Sequence, residues 1–201
     1  MNLKRLGLSV AVAAAVMASV GSGVASATEL YRGASTVPTG TDLDFTMKPG
    51  TSYSIMFTEG KIFNTCTSST IKTRIVSPGS ATSTTTAENT TYTSSLCTVP
   101  TNTLTNGKLE FHHISSTTDA TVTADGQITV TFSNIVLGSC AYAAKPGADM
   151  GILTGGSPAT WHMNNVTEKV SGSPFTCPAT TLWTATYVST EPTGDLHVEA
   201  S

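Results

Sequence analysis

Apolar and polar residues alternate with a period of two along much of this chain, and this pattern constrains the fold more than any other feature. Residues 127–132 read QITVTF, and residues 181–188 read TLWTATYV. Successive side chains of a β-strand point to opposite faces, so this alternation is typical of strands with one buried face. No stretch of ten residues carries the i, i+3, i+4, i+7 apolar spacing of an amphipathic helix. The pattern predicts an all-β protein.

Composition and turn signals agree with this prediction. Thr is abundant, and β-branched side chains fit a pleated sheet better than a helix. Further strands are predicted at Ser52–Thr58, Ser69–Val76 and Lys108–Ile114. The dipeptide Asp125-Gly126 between two alternating segments predicts a hairpin, because both residues tolerate positive φ. We expect an antiparallel β-sandwich of about ten short strands in one domain, residues 28–201.

The first 27 residues have the pattern of a secretory signal peptide. Lys4 and Arg5 precede an apolar segment, Leu6–Val20, and Ala25-Ser26-Ala27 provides an A-x-A cleavage site. The alternative is an N-terminal membrane anchor, but the apolar segment is short for a span of about 20 residues. Residues 1–27 are therefore predicted to be removed, leaving a secreted chain without a membrane span.

The mature chain is weakly acidic and poor in charge. The full sequence has 10 Lys and Arg against 13 Asp and Glu, and two of the basic residues lie in the predicted signal peptide. Nucleic acid binding depends on clustered Lys and Arg that displace counterions, and docking to anionic lipid needs a similar patch. The sequence contains no such cluster. Composition therefore excludes nucleic acid as a partner and argues against an anionic membrane surface.

Four cysteines, Cys66, Cys97, Cys140 and Cys177, occur in the exported chain. An even number in an oxidising compartment is most simply explained by two disulfides. Three connectivities are open, and we favour the sequential pairs Cys66–Cys97 and Cys140–Cys177. No pair has the C-x-x-C spacing of structural zinc sites. The cysteines are predicted to be structural.

One segment, Ser80–Ser95, departs from the alternating pattern. It consists almost entirely of Ser, Thr, Ala and Asn, with Glu88 and Tyr92 as exceptions. With so few side chains to anchor it in a core, it is predicted to be a long exposed loop or a loosely held edge.

Three segments carry a resemblance to known proteins. They are Cys66–Thr70 (CTSST), Gly151–Thr160 (GILTGGSPAT) and Cys177–Tyr187 (CPATTLWTATY). Together they resemble a group of small secreted β-rich proteins of actinobacteria, and the likeness covers most of the mature chain with all four cysteines. The resemblance implies secretion and a β fold with two disulfides. It carries no catalytic residues over.

Catalytic and metal chemistry would depend on the four histidines, His112, His113, His162 and His197. There is no G-x-S-x-G nucleophile motif. On a strand His112 and His113 point to opposite faces, so they cannot bind one ion together. Glu110 and His112 share a face and would form a site if His162 or His197 came across from a neighbouring strand, although a partly exposed histidine is the commoner situation. We predict no catalytic residues, no metal and no cofactor.

The two tryptophans have different predicted roles. Trp183 lies in the middle of a strand and is expected in the core, beside a disulfide. Trp161 lies in the polar segment ATWHMN and is predicted to sit on an open sheet face, where its ring would contact a ligand. A flat aromatic ring on such a face is suited to stacking on a sugar.

These observations favour a non-enzymatic extracellular protein, either a structural component of the cell surface or a module that binds a glycan or another protein. The alternative is a secreted hydrolase with an unrecognised site. A glycosidase would need two carboxyl groups across a cleft, and the scattered acidic residues select no pair. A third hypothesis, an enzyme inhibitor with Ser80–Ser95 as its reactive segment, is weak because that segment lacks anchoring side chains.

Overall fold

The computed structural model describes residues 28–57, 62–99, 101–102, 107–134 and 138–200. These ranges contain fifteen β-strands and no helix, which confirms the all-β prediction. The strand bounds in chain order are β1 Thr28–Arg32, β2 Ser35–Thr36, β3 Asp42–Met47, β4 Tyr53–Phe57, β5 Ile62–Ser77, β6 Thr85–Cys97, β7 Thr101–Asn102, β8 Lys108–His113, β9 Ala120–Asp125, β10 Ile128–Asn134, β11 Gly138–Ala144, β12 Asp149–Thr154, β13 Thr160–Lys169, β14 Thr180–Glu191 and β15 Leu196–Ala200. This part of the chain offers no helix that could span a membrane. The predicted signal peptide, residues 1–27, lies outside the described residues.

The strands pair antiparallel, and most of them belong to one sheet that closes on itself. Both β3 and β4 pair with β5 on one side and β14 on the other, so these two short strands share one position in the sheet. From β14 the pairing continues through β13, β12, β9, β8 and β6 back to β5. The result is a closed barrel of eight strand positions, with further strands attached.

This closure differs from the predicted sandwich of about ten short strands. The main strands are long, with 16 residues in β5, 13 in β6 and 12 in β14. The pairing of β5 with β6 shifts register at Lys72/Thr73 and again at Ile75/Ser77. Such bulges bend a strand and increase its twist, which helps a sheet to curve round. Alternation predicts which face of a strand is buried, but it carries no information on whether the two edges of the sheet meet.

The inward face of the barrel is a packed aromatic and aliphatic core. Along β14, buried and half-buried residues alternate, with Trp183 and Tyr187 on the buried face. The ring of Trp161 on β13 packs edge-on against Phe45, with centroids 5.4 Å apart, and lies at a tilt to the ring of Tyr187, with centroids 5.9 Å apart. Tyr92 meets Trp183 edge-on at 5.8 Å. The prediction that Trp183 belongs to the core is confirmed.

A separate three-stranded sheet, in the order β15, β1, β2, covers one end of the barrel. Leu30, Leu196 and Val198 on its inner face are fully buried. The backbone N–H of Val198 donates to the carbonyl of Thr118, in the turn after β8, and Leu196 bridges to Gly156, in the turn after β12. The small sheet is therefore bonded to the turns at this end of the barrel.

The predicted hairpin at Asp125-Gly126 is wrong, although the chain does turn there. Gly126 has a φ of 101°, as a tight turn requires. However, β9 pairs on its two sides with β8 and β12, so neither edge is free for β10. Strand β10 pairs instead with β11 and β7, and β11 joins the end of β13. These three strands form an extension outside the closed ring.

Both predicted disulfides are present. Cys66–Cys97 links β5 to β6, and Cys140–Cys177 links β11 to the loop between β13 and β14. No free cysteine occurs in the described ranges. Two disulfides are consistent with an extracellular protein.

The prediction of a long loop over Ser80–Ser95 is wrong for most of that segment. From Thr85 onward the residues belong to β6, which pairs with β5 along its length and with β8 over its first four residues. Thr85, Ala87 and Tyr92 are buried on its inner face. Thr suits a strand, and backbone pairing with a neighbour supplies the anchoring that the side chains lack. The inhibitor hypothesis therefore loses its exposed reactive segment.

Candidate functional site

Trp161 lies in the core, so the predicted ligand-binding role does not fit the structure. Its side chain is 1% exposed, and its indole N–H donates to the carbonyl oxygen of Met150 at 3.0 Å. The polar neighbours that suggested an open face, His162 and Asn164, are the outward residues of the same strand. A strand with one buried face has polar residues on both sides of each core residue. Stacking on a sugar requires an exposed ring, which Trp161 does not provide.

His112 has neighbours that resemble part of a catalytic triad but does not form one. Its Nε2 lies 2.9 Å from the Thr123 hydroxyl and 3.4 Å from Oε2 of Glu110. In a triad the imidazole bridges the nucleophile and the carboxylate through opposite ring nitrogens. Here one nitrogen contacts both groups, so the arrangement cannot relay a proton from the hydroxyl.

The hypothesis of a metal site at Glu110 and His112 also lacks its third ligand. His112 and His162 are aligned in the same row of the barrel but are separated by β9 and β12. Three strand spacings put their backbones about 14 Å apart. His113, on the other face of β8, contacts the carbonyl of Thr117. The described residues include no group of three or more His, Cys, Asp or Glu placed to hold a metal ion.

His197 lies on the outer face of the small sheet, among carboxylates. Its Nδ1 is 3.3 Å from Asp195, its Nε2 is 3.3 Å from Glu199, and its ring stacks on Tyr31 at 5.7 Å. The Tyr31 hydroxyl donates to Glu29 at 2.9 Å, and this bond is the main reason that the pKa of Tyr31 is raised. Both nitrogens of His197 thus face carboxylates. These contacts hold β1 against β15 on the outer face of the small sheet.

An open polar groove of about 620 Å³ lies on the outside of the barrel. It lies where β8 begins between β6 and β9, and we call it the β6–β8–β9 groove. Glu88, Lys108 and Asp125 are paired in register across these three strands, and all three side chains are exposed. The residues that line the groove are Glu88, Asn89, Thr90, Gly107, Lys108, Asp125 and Gly126.

The charged groups of the groove are not paired with one another. None of the ion pairs in the described ranges involves Lys108, Glu88 or Asp125. Neighbouring strands are about 4.8 Å apart, so the backbones of Glu88 and Asp125 lie about 10 Å apart, with Lys108 between them. One ammonium donor between two carboxylate acceptors is available to a ligand that enters the groove.

Backbone geometry shapes the floor of the groove. Thr90 is the extra residue of the bulge in β6, and its hydroxyl donates to the carbonyl of Lys72 at 3.1 Å. The preceding residue, Asn89, donates its backbone N–H to the carbonyl of Gly107 at 2.8 Å. A Cβ at Gly107 would overlap Cγ1 of Ile128, so any larger residue there would force Ile128 to shift. The start of β8 is therefore packed closely against adjacent residues, and the open space of the groove lies on its outer side.

Asn89 adds an unsatisfied acceptor to this site. Its side-chain Oδ1 is buried and accepts no hydrogen bond within the described part of the chain. A buried polar atom without a partner costs about 1–3 kcal/mol, so a rotation of the Asn89 amide toward a donor in the groove would be favoured. With Lys108 as a donor and two carboxylates as acceptors, the groove is suited to hydrogen bonding with a hydroxyl-rich molecule.

Sequence reasoning missed this groove. In the sequence Asp125-Gly126 indicates a hairpin turn, and Glu88 and Asp125 are two of the scattered acidic residues among which no pair stands out. The site depends on β6, β8 and β9 being neighbours, which no local pattern predicts. A scan against protein-family models and searches of curated proteins and of solved structures give no match to this chain.

Proposed function

We propose that this protein is a non-enzymatic secreted module that binds a cell-surface glycan in the β6–β8–β9 groove. The observation that carries the proposal is a set of polar side-chain groups in that groove. In the described part of the chain, Oδ1 of Asn89 accepts no hydrogen bond, and Lys108, Glu88 and Asp125 form no ion pair. Secretion is supported by the signal pattern of residues 1–27 and by the two disulfides, which persist in oxidising compartments.

A glycan is favoured over an apolar ligand by the chemistry of the lining. Carboxylates accept hydrogen bonds from adjacent sugar hydroxyls, and an ammonium group donates to hydroxyl or ring oxygens. Such charge-assisted hydrogen bonds are stronger than neutral ones. The groove is open to solvent, and none of its described lining residues is aromatic. Affinity for a single sugar unit is therefore expected to be weak, and a polymer that offers many units would bind more tightly.

Co-sedimentation with insoluble polysaccharides and purified cell walls tests the proposal. The oxidised mature chain would be compared with K108A and N89A at low and high salt. The matched control is K48A, which removes an exposed lysine far from the groove in sequence. We expect wild type and K48A to sediment with at least one polysaccharide, and K108A and N89A to bind at least fivefold more weakly. Equal binding by all four proteins, or binding by none, would contradict the proposal.

A secreted hydrolase is the second candidate, and one observation favours it. Glu88 and Asp125 flank the groove, and paired carboxyl groups across a cleft are the machinery of glycosidases. Release of reducing ends from the same polysaccharides measures this activity directly. Release that is lost in both E88Q and D125N would replace the binding proposal with hydrolysis. We expect no release from any substrate that the wild-type protein binds.

A further inference from the structure

A second, smaller pocket lies at the end of the barrel that the three-stranded sheet covers. Its volume is about 130 Å³. Arg32 comes from the end of β1, Ser35 and Thr36 from β2, and Thr41 from the segment before β3. This site is separate from the β6–β8–β9 groove and does not depend on the proposed function.

Arg32 has no ion-pair partner among the described residues, although the chain is acidic. Other cations do have partners: Arg74 bonds to Asp42 at 2.9 Å, and Lys72 lies 3.2 Å from Asp44. The nearby Asp195 instead directs its side chain to His197. The guanidinium group of Arg32 is therefore an unused, always-charged donor on the rim of the pocket.

Three residues with hydroxyl side chains also line the pocket. The side chains of Ser35, Thr36 and Thr41 form no hydrogen bond with another described group. Their backbone is held in place, because Val37 donates its N–H to the carbonyl of Leu30 at 2.8 Å and Thr41 donates to Pro38 at 3.2 Å. These hydroxyls are thus available donors on a fixed framework.

The remaining walls are apolar. Pro38 and Pro192 line the pocket together with Val37, which is 2% exposed. A volume of about 130 Å³ is small beside the roughly 300–1,000 Å³ of pockets that enclose a drug-sized ligand. The space therefore suits a ligand of only a few heavy atoms with one polar and one apolar end.

We propose that this pocket binds a small aliphatic monocarboxylate. The planar fork of Arg32 matches a carboxylate, with hydroxyl donors beside it, and the alkyl part of the ligand contacts Pro38 and Pro192. A phosphate is disfavoured, because a dianion requires more positive charge than one arginine supplies, and the prolines offer no backbone N–H donors.

Amide chemical-shift titration of the oxidised mature chain with sodium propionate tests the proposal. We expect shifts centred on the amides of Gly33, Thr36 and Thr41, with a dissociation constant of about 1–10 mM. Propionamide, which has the same shape without the charge, should bind at least tenfold more weakly. Inorganic phosphate should not reproduce the pattern.

Two variants locate the site. R32Q should weaken propionate binding at least tenfold with a folded spectrum retained, whereas R74Q, which removes an arginine already paired with Asp42, should leave it unchanged. Equal binding of propionate and propionamide, an unchanged affinity in R32Q, or shifts scattered over the surface would each overturn the proposal.

Discussion

The indole N–H of Trp161 donates a hydrogen bond to the carbonyl oxygen of Met150 at 3.0 Å, inside the barrel. The bond joins β13 to β12, and the same ring contacts Phe45 and Tyr187. An aromatic residue that the sequence suggests as a binding platform is therefore part of the framework that supports the outer surface.

Replacing Trp161 with alanine should destabilise the fold without removing a ligand contact. Loss of a large buried ring typically costs about 3–5 kcal/mol. Denaturant unfolding at equilibrium measures this change in the free energy of unfolding. The control is F175A, because Phe175 is 95% exposed and its loss should change stability by less than about 0.5 kcal/mol. Equal effects of the two substitutions would show that Trp161 is not in the core.

Gly151 should tolerate alanine less well than Gly172 does. Both have positive φ values, 102° and 91°, so both pay a similar conformational cost on substitution. A Cβ at Gly151 would also overlap the carbonyl oxygen of His162 on β13, whereas a Cβ at Gly172 meets nothing within 4 Å. We expect G151A to lose at least about 2 kcal/mol more than G172A in thermal or denaturant unfolding. Matching losses would contradict the close approach of β12 and β13.

The two disulfides should stabilise different parts of the structure. Cys66–Cys97 links neighbouring strands of the ring, and Cys140–Cys177 ties the β10–β11 extension to a loop. Removing either should cost about 2–5 kcal/mol. In hydrogen exchange, C140A/C177A should lose amide protection mainly in β10 and β11, whereas C66A/C97A should lose it around the ring. If both variants lost amide protection in the same strands, the two disulfides would not stabilise different parts of the structure.

Stability should fall in alkaline solution because buried tyrosines resist ionisation. Burial raises the pKa of the Tyr142 hydroxyl to about 12, and burial also raises the pKa of Tyr187. Because the pKa is higher in the folded state, the neutral hydroxyl contributes its full stabilisation below about pH 10, the pKa of tyrosine in the unfolded chain. This stabilisation is lost as the pH rises from about 10 through 12. At pH 11 the loss from Tyr142 is about 1 kcal/mol.

The variant Y142F tests this prediction. It removes the Tyr142 hydroxyl, which donates to the carbonyl of Pro178 at 3.2 Å. Its free energy of unfolding should decrease less steeply than that of wild type between pH 10 and pH 12. Parallel curves for the two proteins would show that Tyr142 ionises as readily in the folded state as in the unfolded one.

The sequence predicts where the strands lie better than it predicts which strands pair with each other. Alternation located β8 and β14 within a few residues, because burial of one face leaves a direct trace in the sequence. The partner of β10 could not be predicted in this way. The turn at Gly126 is encoded locally, whereas the pairing of β10 with β11 follows from β9 being enclosed on both edges.

The candidate site was less predictable than the fold. Trp161 and Trp183 both lie on inward faces, and the polar residues beside Trp161 belong to the opposite face of its strand. The groove residues Glu88, Lys108 and Asp125 are far apart in the chain and meet only through strand order. The disulfide pairs were predicted correctly, because sequential pairing was the simplest of three alternatives.

The most direct test of the central claim is an amide chemical-shift titration of the mature chain with a soluble oligosaccharide from the polysaccharide that it sediments with. If the β6–β8–β9 groove is the binding site, shifts should concentrate at Asn89, Thr90, Lys108 and Gly126, and K108A should lose them while K48A keeps them. Shifts centred elsewhere on the barrel, or unchanged shifts in K108A, would contradict the assignment of the groove as the glycan site.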